Sequence, residues 1–130
     1  MDERFTKQGF FSWCELITTD VEAAKAFYNG LFGWTLAENP MGMNYTIVKA
    51  EGKEIGGIME TPPDAKGMPP FWGTYVTVDD ADAIAAKCVE LGGKIIVPPR
   101  DIPEVGRFCV IQDPQGAMIS AIAYRFCKDN

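Results

Sequence analysis

The stretch FSWCELITTD, residues 11 to 20, sets Trp13 and Glu15 two residues apart ahead of a turn. On an extended strand that spacing puts both side chains on one face. A carboxylate among apolar neighbours there could serve as a general base, a metal ligand, or an anchor for a cationic or hydroxylated molecule. The alternative is a structural carboxylate held by backbone N–H groups or by an arginine, with Arg100 and Arg107 as candidate partners. One absence limits the chemistry of the whole chain: it contains no histidine. That removes the Ser-His and Cys-His nucleophile pairs, the usual general base at neutral pH and the commonest metal ligand. Cys14, Cys88, Cys109 and Cys127 are scattered, with no Cys-x-x-Cys spacing. Neither a zinc site nor a disulfide framework is indicated, and most of these residues are expected as buried free thiols. Trp13, Trp72, Tyr45, Tyr75 and Phe108 fall on strand candidates, where they could line a pocket for a planar molecule or simply pack a core. Phe27 and Trp34 are expected in the core.

These residues are positioned by a pattern that occurs twice. Asp20 opens DVEAAKAFYNGLFGW and Asp79 opens DDADAIAAKCVELGG; thirteen residues separate Asp20 from Gly33 and Asp79 from Gly92. An aspartate before an apolar periodicity suits an N-cap, and a glycine after it suits the left-handed C′ position. Ala23, Ala26, Phe27 and Leu31 form the apolar stripe of one predicted helix; Ala81, Ile84, Ala85, Cys88 and Leu91 form that of the other. A strand candidate precedes each helix, FFSWCELIT and FWGTYVTV, rich in β-branched and aromatic residues. Three more follow the first helix (WTLAE, NYTIVKA, EIGGIME, with EGKE as a hairpin) and three follow the second (KIIVP, GRFCVIQD, AMISAIAY, the last two joined by the turn DPQG). The loop PPRDIPEVG, stiffened by three prolines, is either a pocket rim or a plain connection.

The unit is thus βαβββ, used twice: module one at about 9–61, a Pro- and Gly-rich linker at 62–70, and module two at about 71–125. One helix leaves one face of its four-stranded sheet uncovered. The expected fold is α+β: two βαβββ modules forming an eight-stranded curved mixed sheet, a cup, with the helices outside. The chain of 130 residues suits a single domain, and 47% apolar content is enough for a core. No apolar run reaches the ~18 residues of a membrane span, and the N-terminus lacks a signal-peptide pattern, so a cytoplasmic protein is expected. With 12 Lys and Arg against 18 Asp and Glu, a net charge of −6 and no basic cluster, nucleic-acid binding is not expected.

The motifs TTDVEAAKAFYNGLFGW, VDDADAIAAKCVELGGKI and VIQDPQGAMISAI resemble the vicinal oxygen chelate superfamily, which includes glyoxalase I, extradiol dioxygenases, methylmalonyl-CoA epimerase and the bleomycin-resistance proteins. The resemblance spans nearly the whole chain and is greatest to glyoxalase-like members. It implies a cup holding a divalent metal on about four His, Gln or Glu ligands, the metal acting as a Lewis acid. Counted from the helix caps and the DPQG turn, the ligand positions fall on Trp13, Gly73, Ser120 and a less certain place within Gly57 to Thr61, where Glu60 could ligate. Indole and glycine offer a metal nothing. The resemblance therefore implies a metal-free, cofactor-free cup that binds a small molecule, as the drug-binding resistance proteins do. Trp13, Glu15, Trp72, Tyr45 and Ser120 are the expected ligand contacts, and a homodimer is the expected assembly. The alternative is a metal-dependent lyase, isomerase or dioxygenase using Glu15 or Glu60. A third reading is a regulatory partner domain with an exposed apolar patch instead of a pocket.

Overall fold

The computed structural model describes residues 2–38 and 44–125; Cys127 lies outside the described residues. Its elements are β1 (Phe11–Thr18), α1 (Val21–Phe32), β2 (Thr35–Glu38), β3 (Tyr45–Ala50), β4 (Lys53–Glu60), β5 (Phe71–Thr77), α2 (Ala81–Glu90), β6 (Lys94–Ile102), β7 (Gly106–Gln112) and β8 (Met118–Tyr124). The class is α+β, with the βαβββ order twice, as the repeat predicted. The chain divides into two compact units: residues 13–73, and residues up to 12 together with those from 74 onward.

In the first unit the strand order is β2-β3-β4-β1. β1 and β4 run parallel, with Glu15 opposite Gly57, while β3 and β4 form an antiparallel hairpin with Ile47 opposite Gly57. The hairpin turns on Glu51 and Gly52, both at positive φ, the conformation that a two-residue turn between twisted strands demands. Leu16, Val48 and Ile58 are buried on the face that meets Val21, Ala24 and Tyr28 of α1. Asp20 caps α1, its carboxylate accepting from the Ala23 N–H at 3.0 Å, and Gly33 ends the helix at φ 74°. The predicted stripe on α1 is corrected: Ala23, Ala26, Phe27 and Leu31 face outward, Phe27 being 60% exposed. The helix is apolar around most of its circumference, so periodicity leaves its rotation open; the ring contacts of Tyr28 with Trp34 and Trp72 accompany the packing that sets it.

In the second unit the order is β5-β8-β7-β6, with β5 and β8 parallel and the other pairs antiparallel. Val78, Ala85, Cys109 and Ala121 make its core. The N-cap of α2 is Asp80, not Asp79: the Asp80 carboxylate accepts from the Ala83 N–H at 3.1 Å. β6 runs on through Pro98 and Pro99 to Ile102, so much of the expected proline-stiffened loop is strand, and the turn is only Pro103–Val105 with Glu104 at φ 69°. The chain before β1 belongs here. Phe5 meets Tyr124 edge-on at 5.0 Å, and the Tyr124 hydroxyl lies 2.9 Å from that of Ser12. Of the described cysteines only Cys109 is buried; Cys14 is exposed and Cys88 intermediate, contrary to the expectation of mostly buried thiols. No helix among the described residues is long and apolar enough to cross a membrane.

Candidate functional site

Alternation along β1 sends Leu16 to α1 and sends Trp13, Glu15 and Ile17 to the opposite face of the first unit's sheet. The same rule on β3 and β4 brings Tyr45, Ile47, Gly57 and Met59 to that face. There the Trp13 indole N–H donates to the Tyr45 hydroxyl at 2.8 Å, and the Tyr45 hydroxyl donates to Oε2 of Glu15 at 2.7 Å. Glu15 is 8% exposed, and Trp13 and Tyr45 are half-buried. A carboxyl group this buried needs hydrogen-bond partners, and Tyr45 supplies one. The phenol reaches it because residue 57 has no side chain: a methyl group built on Gly57 would collide with the Tyr45 hydroxyl and ring carbons. The ring therefore occupies the room into which a side chain at 57 would project.

Three of the expected contact residues, Trp13, Glu15 and Tyr45, are thus brought together. Trp72 is not with them. It stands on the α1 side of the sheet, its indole N–H donating to the Tyr28 hydroxyl at 3.1 Å and its ring 5.8 Å from that of Trp34. Ser120 belongs to the second unit, in register with Tyr75 on β5 and Val110 on β7. The arginines considered as partners for Glu15 are engaged within that second unit. Arg107 binds Asp82 through two nitrogens at 2.7 and 3.1 Å and Asp101 at 3.3 Å, and Arg100 lies over the Phe108 ring. The Arg107 hydrogen bonds hold the Asp82 carboxyl below its ordinary value, and Asp82 holds Arg107 above its own. Burial pushes the Cys109 thiol up, which keeps it protonated rather than reactive.

The partner that sequence reading missed for Glu15 is Tyr45, thirty residues away along the chain. A signal for it existed. Gly56 and Gly57 sit inside a strand, where glycine marks a place that another group approaches closely.

Among the described residues no three Cys, Asp or Glu side chains gather into a group able to hold a divalent metal. Glu60 pairs with Thr18 in the parallel register and alternates to the opposite side of the sheet from Glu15, so the two carboxylates do not converge. Glu60 instead borders an open cleft of about 400 Å³ with Thr19, Thr61, Pro62, Pro63, Lys66 and Gly67.

A βαβββ unit with one face free of its helix, used twice in one chain, is the architecture of the vicinal oxygen chelate class. The family model of the Glyoxalase/Bleomycin resistance protein/Dioxygenase superfamily matches residues 11–121, and the chain belongs to that superfamily. It is 44% identical over 117 residues to "Putative glyoxylase CFP32" of Mycobacterium tuberculosis, covering 87% of this chain and 45% of that protein. To "Anthracycline biosynthesis protein DnrV" of Streptomyces peucetius it is 36% identical over 120 residues, covering 82% of this chain and 44% of that one. The chain therefore spans less than half the length of these relatives. Among solved structures it is similar to methylmalonyl-CoA epimerase from Mycobacterium tuberculosis, with a TM-score of 0.62 at 14% identity, covering 94% of this chain and 91% of that one. It is also similar to the Mn(II)-bound glyoxalase from Novosphingobium aromaticivorans, with a TM-score of 0.58 at 18% identity, covering 86% and 38%. At these identities the structural likeness speaks for the fold alone.

Proposed function

We propose that this chain binds a small organic molecule without a metal, on the sheet face of the first unit that carries Trp13, Tyr45 and Glu15. The observation that carries this reading is the hydrogen-bonded chain from the Trp13 indole through the Tyr45 hydroxyl to the buried Glu15 carboxylate. An indole stands at a position that the family resemblance assigns to a metal ligand, and a phenol fills the room beside Gly57, another candidate position. An aromatic surface with a fixed polar group suits a planar ligand. The name of the Streptomyces relative, a protein of anthracycline biosynthesis, is consistent with a ligand of that shape. Trp72 stands outside this reading, because its ring serves the α1 cluster. A homodimer in the cytoplasm is part of the proposal.

The alternative is a metal-dependent lyase, isomerase or dioxygenase, favoured by the glyoxylase name of the mycobacterial relative. Elemental analysis of protein purified without chelator separates the two. The binding reading expects substoichiometric Zn, Ni, Mn and Mg, no loss of thermal stability on adding EDTA, and loss of ligand binding in Trp13→Ala. Stoichiometric metal whose removal lowers Tm would overturn it in favour of the enzyme. Light scattering across a concentration series tests the dimer, and a monomer throughout would remove that part.

A further inference from the structure

The second unit also has a sheet face turned away from its helix. Cys109, Ala121 and Ala123 belong to the core beneath α2, so alternation sends Phe108, Val110, Ser120 and Ile122 to the other face. Tyr75 joins them opposite Ser120, its ring 6.4 Å from that of Phe108. Arg100 sits opposite Phe108 on the edge strand β6, its guanidinium carbon 5.9 Å from the centre of the Phe108 ring. That placement depends on two register shifts in β6, one between Ile95 and Val97 and one between Val97 and Arg100. Continued from the Ile95–Ile111 pair without them, the register would set Pro98 opposite Phe108. Irregularities of this kind re-aim a side chain. The other arginines of the chain, Arg4, Arg107 and Arg125, each hold an aspartate, whereas Arg100 makes no ion pair with the described residues. Its neighbour Asp101 pairs with Arg107 on the opposite side of the sheet. A guanidinium lying over a ring keeps the N–H groups of its edge for an acceptor. The face is open, with Arg100 exposed, Phe108, Tyr75 and Ser120 half-buried and Met118 40% exposed.

We infer that this face of the second unit is a separate binding site for aromatic carboxylates, with Arg100 as its anion-holding residue. The guanidinium fork takes the carboxylate through two parallel N–H···O bonds, and the ring of the ligand lies against Phe108 and Tyr75. In a chain of net charge −6, one unpaired arginine beside aromatic rings is a local exception that favours an anion over a neutral molecule of the same shape. The inference goes beyond the binding reading above and does not depend on it, since every residue it uses lies in the second unit.

Two probes of one shape and different charge test this: 2-naphthoate and its neutral amide, 2-naphthamide. Each is titrated into the whole chain at low ionic strength. Affinity is read from the line widths of the probe's own protons, and the Arg100 Nε–H cross-peak, assigned through Arg100→Gln, shows where it binds. Naphthoate should shift that peak and bind about fivefold tighter than the amide, the factor an exposed ion pair of good geometry supplies. The gap should shrink in about 1 M NaCl. In Arg100→Gln the two probes should bind alike, and Arg100→Lys, which keeps the charge and loses the fork, should restore only part of the gap. Phe108→Leu should weaken both probes together. If the amide binds wild type as tightly as naphthoate, or if the gap survives in Arg100→Gln, the inference falls. If neither probe moves the Arg100 peak, it falls as well, and the reading of the first unit is untouched.

Discussion

The two βαβββ units use the same plan for different ends. The caps of their helices are Asp20 and Asp80, and the residue seven places before the cap is Trp13 for α1 and Gly73 for α2. Taking Asp80 rather than Asp79 as the second cap makes the two positions strictly equivalent. In the first unit the sheet face away from the helix is polar within and aromatic around, with Trp13, Tyr45 and Glu15 hydrogen-bonded in series. In the second unit the ionic network is exposed instead: Arg107 joins Asp82 and Asp101, and Asp101 also takes Arg125 at 2.6 Å. Buried polar networks are worth more when complete, and cost more when broken, than solvent-exposed pairs. The difference teaches that the backbone pattern of the family is separable from the chemistry mounted on it.

The sharpest way to break this contrast is at two glycines. Gly57→Ala drives a methyl group into the Tyr45 ring, and the combined overpacking and stranded hydrogen-bond groups should cost about 4 kcal/mol in urea unfolding. Tyr45→Ala in the Gly57→Ala background should recover part of that loss, because the collision is then gone. At Gly73 an added methyl group meets nothing nearer than the Phe71 ring at 3.5 Å, so Gly73→Ala should stay within about 0.5 kcal/mol of wild type. Equal effects at both positions would end the claim that Gly57, unlike Gly73, seats a phenol.

The outward side of α1 provides the next test. Tyr28 packs under the helix against Trp34 and Trp72, whereas Phe27 is mostly exposed. Tyr28→Ala should cost about 3 kcal/mol, as truncation of a packed aromatic does. Phe27→Ala should be near neutral, since the lost ring contact with Tyr28 is offset by alanine's helix propensity. A third step down is Tyr45→Phe, which keeps the ring but strands the Trp13 N–H and removes a donor from Glu15, for about 2 kcal/mol. An unchanged midpoint would mean the triad does not contribute to stability.

Much of the fold was legible because its signals are local. The caps, the EGKE hairpin and the DPQG turn, where Asp113 accepts from the Gln115 and Ala117 N–H groups, are all written within a few neighbouring residues. The rotation of α1 was not legible, since two apolar stripes run along it and tertiary packing decides between them. The hydrogen-bonded chain of Trp13, Tyr45 and Glu15 was only partly legible. Trp13 and Glu15 share a face by alternation alone, whereas Tyr45 joins them only through the register of β3, β4 and β1, which sequence spacing does not encode. The neighbours of Trp72 were not legible for a similar reason: alternation gives two faces, and the α1 packing that engages it involves Tyr28, 44 residues away.

The smallest expected effect lies in the second unit and depends on pH. Hydrogen bonding from Arg107 lowers the Asp82 pKa below its ordinary 3.8. Above that value Asp82 is ionised folded and unfolded alike, and the stabilisation is fully present. As pH falls the unfolded chain takes up the proton first, and the contribution is lost as pH passes through the folded-state pKa. The Asp82 side chain is 59% exposed, so the effect is minor and screened by salt. The difference in unfolding midpoint between wild type and Asp82→Asn should therefore shrink on acidification from neutral pH, and shrink at neutral pH in about 1 M NaCl, where the Debye length is ~3 Å. The Tyr45→Phe difference should persist in the same salt, because the hydrogen bond it removes ends on a buried carboxylate. If both differences collapse together in salt, the division into a buried relay and an exposed ionic rim is wrong.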